Sequence, residues 1–214
     1  MCFLLTLCEQ ADLKALVRDA ADGLEPQLKS ARKLPFALLG HSFGAWLAFE
    51  LAVELRRRGC GEPVKIYASA NRAPCLAGPE HDPDTRGASL CLPPASFWPH
   101  FEQRYGANPD LQSPAVRAFL YPLLQADFCA IDSYHAASEV LQCPIAAIGA
   151  HGDARYRTEQ ISAWKAHTSG EFQERWFTAK PVHKWATPHR FVADDPSDFQ
   201  SWLTEDLCMQ FNAP

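Results

Sequence analysis

The strongest constraint on how this chain can fold is the pentapeptide Gly40-His41-Ser42-Phe43-Gly44. It fits G-x-S-x-G, and its flanks give the motif a place in three dimensions. The apolar run Pro35-Phe36-Ala37-Leu38-Leu39 before it is short enough for a buried parallel strand, and the stretch from Ala45 to Leu55 after it reads as a helix. Strand, tight turn and helix are the setting of a nucleophile elbow, in which a serine is lifted from the sheet on a strained backbone. Glycines suit positions 40 and 44 because bulkier side chains there would meet the neighbouring strand and helix. The first N–H groups of the helix then point at the serine, where negative charge gathers during acyl transfer. The plain alternative is a chance match in an ordinary strand–helix turn.

The rest of the chain supports a layered fold. Residues 10–29 place Leu13, Leu16, Val17, Ala20, Leu24 and Leu28 at helical spacing. Strand 35–39, helix 43–58 closed by Gly59, and a strand at 64–69 follow. This alternation predicts a parallel sheet with helices on its faces. From 74 to about 94 the pattern dissolves into Pro, Gly, Asp and Ser, which predicts a loop. Residues 95–138 turn helical and aromatic-rich. Phe97, Phe101 and Phe128 have two readings there: helical core, or the inner face of a lid that receives an apolar acyl chain. Further strands are predicted at 144–149 and 171–177, with helices at 158–167 and 195–209. One domain over 1–214, with a helical lid about 92–138 inserted in it, accounts for the whole pattern.

Composition narrows the function. A length of 214 residues suits one domain. A net charge of −5 supplies no basic patch, so nucleic acid is not an expected partner. No apolar stretch is long enough to span a membrane. The N-terminal run Met1-Cys2-Phe3-Leu4-Leu5-Thr6-Leu7-Cys8 lacks a basic leader and meets Glu9 at once, so it reads as a strand fragment and not as a signal peptide. The eight cysteines are scattered, without C-x-x-C and without histidines at zinc spacing. Free buried thiols in a reducing, cytoplasmic setting are therefore expected, with no metal and no cofactor.

A serine hydroxyl attacks a carbonyl at neutral pH only with a base in reach, and the base needs an acid to fix its tautomer. In an elbow-bearing sheet of this kind the partners follow in the order serine, acid, histidine, each just after a strand. Asp153, in Gly149-Ala150-His151-Gly152-Asp153, is the expected acid; Glu159 and Asp132 are weaker candidates, because neither directly follows a strand. His189, in Thr187-Pro188-His189-Arg190-Phe191-Val192, is the expected base, and His183 competes with it. The Phe43 N–H is the expected oxyanion donor. His41 is expected to pack near the elbow and not to act as the base.

With these residues placed, the chain resembles the type II thioesterases, stand-alone α/β-hydrolases that free acyl groups from carrier proteins. The resemblance spans about residues 34–207. It rests on Phe36-Ala37-Leu38-Leu39-Gly40-His41-Ser42-Phe43-Gly44-Ala45 and on Ser69-Ala70-Asn71-Arg72-Ala73-Pro74. Leu124-Gln125-Ala126-Asp127-Phe128, Tyr134, Cys143-Pro144-Ile145 and Trp164 follow in the expected order. His189-Arg190-Phe191-Val192 is similar to the family's His-Phe-Phe-Leu, which decides for His189 over His183.

The resemblance implies a mostly parallel α/β-hydrolase sheet with helices on both faces and a Ser42, His189, Asp153 mechanism. The partner it implies is an acyl carrier protein or a synthase carrier domain, whose phosphopantetheine holds the thioester. It also implies two departures. Residues 180–186 look inserted before His189. Nothing in residues 1–33 matches the family's opening strand and Phe-Pro-x-x-Gly-Gly-like loop, so the sheet is expected to be N-terminally incomplete and to lack the oxyanion donor that this loop supplies. Two other functions remain consistent with the elbow: a non-catalytic module that binds acyl groups or carrier proteins, and a carboxylesterase or lipase of the same fold.

Overall fold

The computed structural model describes residues 12–30, 34–83, 90–180, 182–184 and 186–212. The strand fragment expected at residues 2–8 lies outside them.

Four strands form one parallel sheet in sequence order: β1 (Leu38–His41), β2 (Ile66–Ser69), β3 (Ile145–Ala150) and β4 (Phe172–Phe177). Parallel neighbours need crossover connections, and the helices supply them. Helix α1 (Leu13–Leu28) packs on α2 (Phe43–Arg57), which covers β1 and β2. Helix α5 (Thr158–Ser162) continues as a 3-10 turn through His167 and lies against β3. The opposite face carries α6 (Phe191–Asp194) and α7 (Ser197–Asn212). The two faces can be read from the alternation of β2. Tyr67 meets Trp202 of α7, with ring centroids 5.9 Å apart. On the far side, Phe49 of α2 packs edge-on against Trp164. Sheet order and layering thus agree with the α/β reading of the sequence.

Strands β2 and β3 are buried at every position, as expected where both faces of a parallel sheet are covered. Strand β1 begins at Leu38, three residues later than the apolar run suggested. Pro35 has no N–H to contribute, and regular pairing starts where Leu38 N donates to Lys65 O at 3.1 Å.

Between β2 and β3 stand α3 (Pro94–Tyr105) and α4 (Pro114–Asp132), joined by a 3-10 turn at Pro109–Leu111. They have a small core of their own. Phe97 is completely buried in it, with ring neighbours Phe101 at 5.5 Å, Tyr121 at 5.3 Å and Phe128 at 6.0 Å. The core reading therefore holds for Phe97 and Phe101.

The cysteine expectation is corrected here. Cys91, just before α3, is joined to Cys129 of α4 by a disulfide. Of the free cysteines among the described residues, Cys75 and Cys208 are exposed, Cys60 is half-buried and only Cys143 is buried. Pairing depends on how the segment before α3 lies along α4, a tertiary contact that spacing in the chain does not encode.

Candidate active site

The C-terminal ends of β1, β3 and β4 meet at one edge of the sheet, where open α/β sheets place their ligands. Ser42 follows β1 directly and caps α2 with φ 54° and ψ −126°. This is the strained conformation expected of an elbow. Two hydrogen bonds hold it: Ser42 N donates to Ser69 O at 2.7 Å, and Asn71 Nδ2 donates to Ser42 O at 3.0 Å. Gly40 is sterically required, because a Cβ there would lie 1.9 Å from Gly44 O. Gly44 is not, since a Cβ on it would meet nothing within 4 Å. The expectation that both glycines avoid collisions is thereby corrected to Gly40 alone.

Asp153 lies in the turn after β3, and His189 lies on the 3-10 turn Pro188–Arg190 between β4 and α6. His189 Nε2 is 3.0 Å from Ser42 Oγ, and His189 Nδ1 is 2.8 Å from Asp153 Oδ2. The side chains of His189 and Asp153 are almost fully buried, at 8% and 2% exposure. Burial alone would push the Asp153 carboxyl up. The hydrogen bond and charge of His189, with the Arg155 N–H donating to Oδ1 at 3.0 Å, outweigh it and hold the group below the usual carboxylate range. An ionised Asp153 requires a proton on Nδ1 of the neutral imidazole, which leaves Nε2 free to accept from Ser42.

The competing residues lie elsewhere. His183 is exposed, and its Nε2 sits 3.4 Å from Oδ1 of the nearly buried Asp194. Glu159 is exposed in the first turn of α5. Asp132 accepts from Cys91 N at 3.3 Å and lines the site cavity without contacting the base.

A cavity of about 70 Å³ opens beside Ser42. Phe43, Trp46, Asn71 and Arg72 form its core side, and Tyr105 and Phe128 of the helical insertion form its roof. Of the three aromatic residues expected to hold substrate, Phe128 lines it, whereas Phe97 and Phe101 stand behind it. Arg72 is locked in place: its guanidinium donates to Leu76 O and Ala77 O and lies 5.0 Å over the Trp46 ring. The Phe43 N–H is the first of α2, and such N–H groups have no acceptor within their own helix. The role of Asn71 in holding the serine was not foreseen; its place two residues after the end of β2, the strand beside the elbow strand, was the available signal.

A strained serine at a strand–helix turn, a buried histidine on its hydroxyl and a carboxylate behind the histidine define a serine hydrolase of the α/β-hydrolase class. Comparison with known proteins narrows the class. The thioesterase domain model matches residues 8–186, and the chain belongs to that family. It is 32% identical over 197 residues to linear gramicidin dehydrogenase LgrE of Brevibacillus parabrevis, covering 90% of this chain and 71% of the relative. It is 30% identical over 206 residues to thioesterase PikA5 of Streptomyces venezuelae, covering 94% and 66%. The solved structure of RedJ, a thioesterase from the prodiginine biosynthetic pathway in Streptomyces coelicolor, superposes with a TM-score of 0.72. It is 28% identical, over 94% of this chain and 72% of that one. The chain thus spans roughly two thirds of the length of these curated relatives. Among the described residues, no helix is long and apolar enough to cross a membrane.

Proposed function

We propose that the protein is a type II thioesterase that hydrolyses acyl thioesters held on the phosphopantetheine arm of an acyl carrier protein or synthase carrier domain. The single observation that carries this reading is the continuous chain Ser42 Oγ, His189 Nε2, His189 Nδ1, Asp153 Oδ2, with links of 3.0 and 2.8 Å, in a member of the thioesterase family. His189 takes the Ser42 proton as Oγ bonds to the thioester carbon. The oxyanion forms toward the Phe43 N–H, at the positive end of α2. The C–S bond then breaks, and the thiol leaves with the proton from His189. Water, deprotonated by the same nitrogen, attacks the acyl-serine; Ser42 regains its proton and a free acid departs.

A thioester carries a good leaving group, so the single acid that the protonated His189 supplies is enough for its departure. Tyr105 and Phe128 give the acyl group an aromatic surface beside Ser42.

The test is turnover of short and long acyl thioesters on a purified carrier protein. Wild type should release free acid, and Ser42→Ala should lower kcat at least about 10³-fold. Undiminished turnover in that variant would remove Ser42 from the mechanism.

A further inference from the structure

One titratable side chain at the site has no part in the chemistry above. The His41 ring lies beside the base, with centroids 5.2 Å apart and planes tilted by 46°. Its flank meets the edge of Phe191 at 5.8 Å, and Phe191 is fully buried and stacked on Phe177. His41 Nδ1 lies 3.0 Å from Ser69 Oγ. Ser69 ends β2, is completely buried, and also accepts from Ser42 N through its carbonyl.

We propose that His41 is a positioning residue, a strut whose ring is anchored on Ser69 and lies against the His189 ring, and so fixes where the base sits over Ser42. The need for a strut follows from the topology. His189 rides on a single 3-10 turn within the long connection after β4, where no sheet pairing holds it. Asp153 holds one ring nitrogen, and His41 lies against the ring itself. A misplacement of 1 Å at such a centre costs on the order of 10²-fold in rate. Ser69 belongs to the rigid sheet and already anchors the nucleophile, so the strut refers base and nucleophile to the same residue.

A histidine suits this place because it sets a flat ring against His189 and a ring nitrogen against Ser69 without carrying charge. Burial, then the neighbouring His189, pull the His41 pKa down to about 4. Asp153 acts on it in the opposite sense, and Arg155 in the same sense as His189. At neutral pH it therefore adds no second positive charge beside the imidazolium that forms on His189 during turnover.

This inference rests on the proposed hydrolase reading, and the test separates the two. His41→Phe keeps the ring volume but removes both nitrogens; His41→Gln restores a donor and an acceptor; Ser69→Ala removes the anchor with little change of volume. With a short acyl thioester of N-acetylcysteamine, His41→Phe should lower kcat about 10–100-fold with KM within about 2-fold. His41→Gln should recover most of the loss, and Ser69→Ala should fall between them. The far-downfield proton resonance of His189 Nδ1–H should broaden in His41→Phe and persist in His41→Gln. The strut is overturned if folded His41→Phe turns over within about 2-fold of wild type, or if His41→Gln is as impaired as His41→Phe. If His41→Phe fails to fold, unchanged kcat in Ser69→Ala overturns it instead. An active Ser42→Ala would bring down the hydrolase reading, whatever the His41 variants do.

Discussion

The α-carbon hydrogen of Gly40 that a Cβ would replace faces Gly44 at a distance no side chain can share: a Cβ would stand 1.9 Å from the Gly44 carbonyl oxygen and 2.4 Å from its carbon. Both obstacles are backbone atoms of α2, so no rotamer change relieves the clash. The strand and the helix meet at the glycine itself, and the turn carrying Ser42 is as tight as it is because nothing stands between them.

The two glycines of the elbow therefore respond differently to the same change. Gly40→Ala should destabilise the fold by about 3 kcal/mol or prevent folding, since overpacking against backbone is not relieved locally. Gly44→Ala should leave stability unchanged or raise it by up to about 1 kcal/mol, because alanine is the better helix former and open space receives the methyl. Urea denaturation of the two variants checks this, and equal losses in both would contradict the geometry.

A buried ion pair joins the sheet to the last helix. Lys65 Nζ lies 2.9 Å from Asp206 Oδ2, with exposures of 3% and 6%, and Tyr67 donates its hydroxyl to the same carboxylate. Asp206→Ala should cost about 3–5 kcal/mol, because it strands a buried ammonium. The triple variant Lys65→Met, Tyr67→Phe, Asp206→Leu should return to within about 2 kcal/mol of wild type, since a packed apolar cluster often replaces a buried pair without loss. Chemical denaturation of both variants measures the difference. A triple variant as weak as Asp206→Ala would show that the loss comes from packing and not from an orphaned charge.

How much of this was legible in the sequence depended on whether the signal was local. The elbow could be read because strand, turn and helix are contiguous, and parallel order could be read because strands and helices alternate. His189 could be located because four residues in a row, 189–192, resemble a family pattern; place in the chain alone left His183 open. The roles of Phe97 and Phe101 could not be settled, because an aromatic face looks the same whether it covers a core or a ligand. What decides is which neighbour it meets, and Phe97 meets Tyr121 and Phe128. His41 was seen only as a packing residue, since its partners Ser69 and His189 are 28 and 148 positions away in the chain.

The disulfide gives a further prediction. Cys91 and Cys129 are 38 positions apart and clamp the segment before α3 to α4. Closing a loop of that size contributes on the order of 2–4 kcal/mol, mainly by restricting the unfolded chain. Cys129→Ser should lower the stability of the helical insertion by that order and speed proteolytic cutting within residues 91–129, with the sheet less affected. Limited proteolysis with and without dithiothreitol tests it. Equal cutting rates would show that packing of Phe97 and its neighbours, and not the covalent link, holds the insertion.

Acid should weaken the fold first through His41. In the unfolded chain its imidazole titrates near 6.5, and in the folded protein near 4. Between these values the unfolded chain takes up a proton that the folded protein refuses, so stability is full above about pH 6.5 and falls as the pH drops toward 4. The shift corresponds to a loss of up to about 3 kcal/mol across that window. Asp153 contributes in a different range. Its carboxyl is held below the ordinary value, so its stabilisation persists through the whole window and is lost only as the pH falls through the folded value, below 3.8. His167, also depressed by burial, adds a decline of the same sign on the same side. Comparing wild type with His41→Phe removes that shared background. The urea midpoint of wild type should fall more steeply from pH 7 to pH 4.5 than that of His41→Phe. Parallel curves would mean that His41 takes its proton equally in both states, and that the ring beside the base is not neutral when the enzyme works in mild acid.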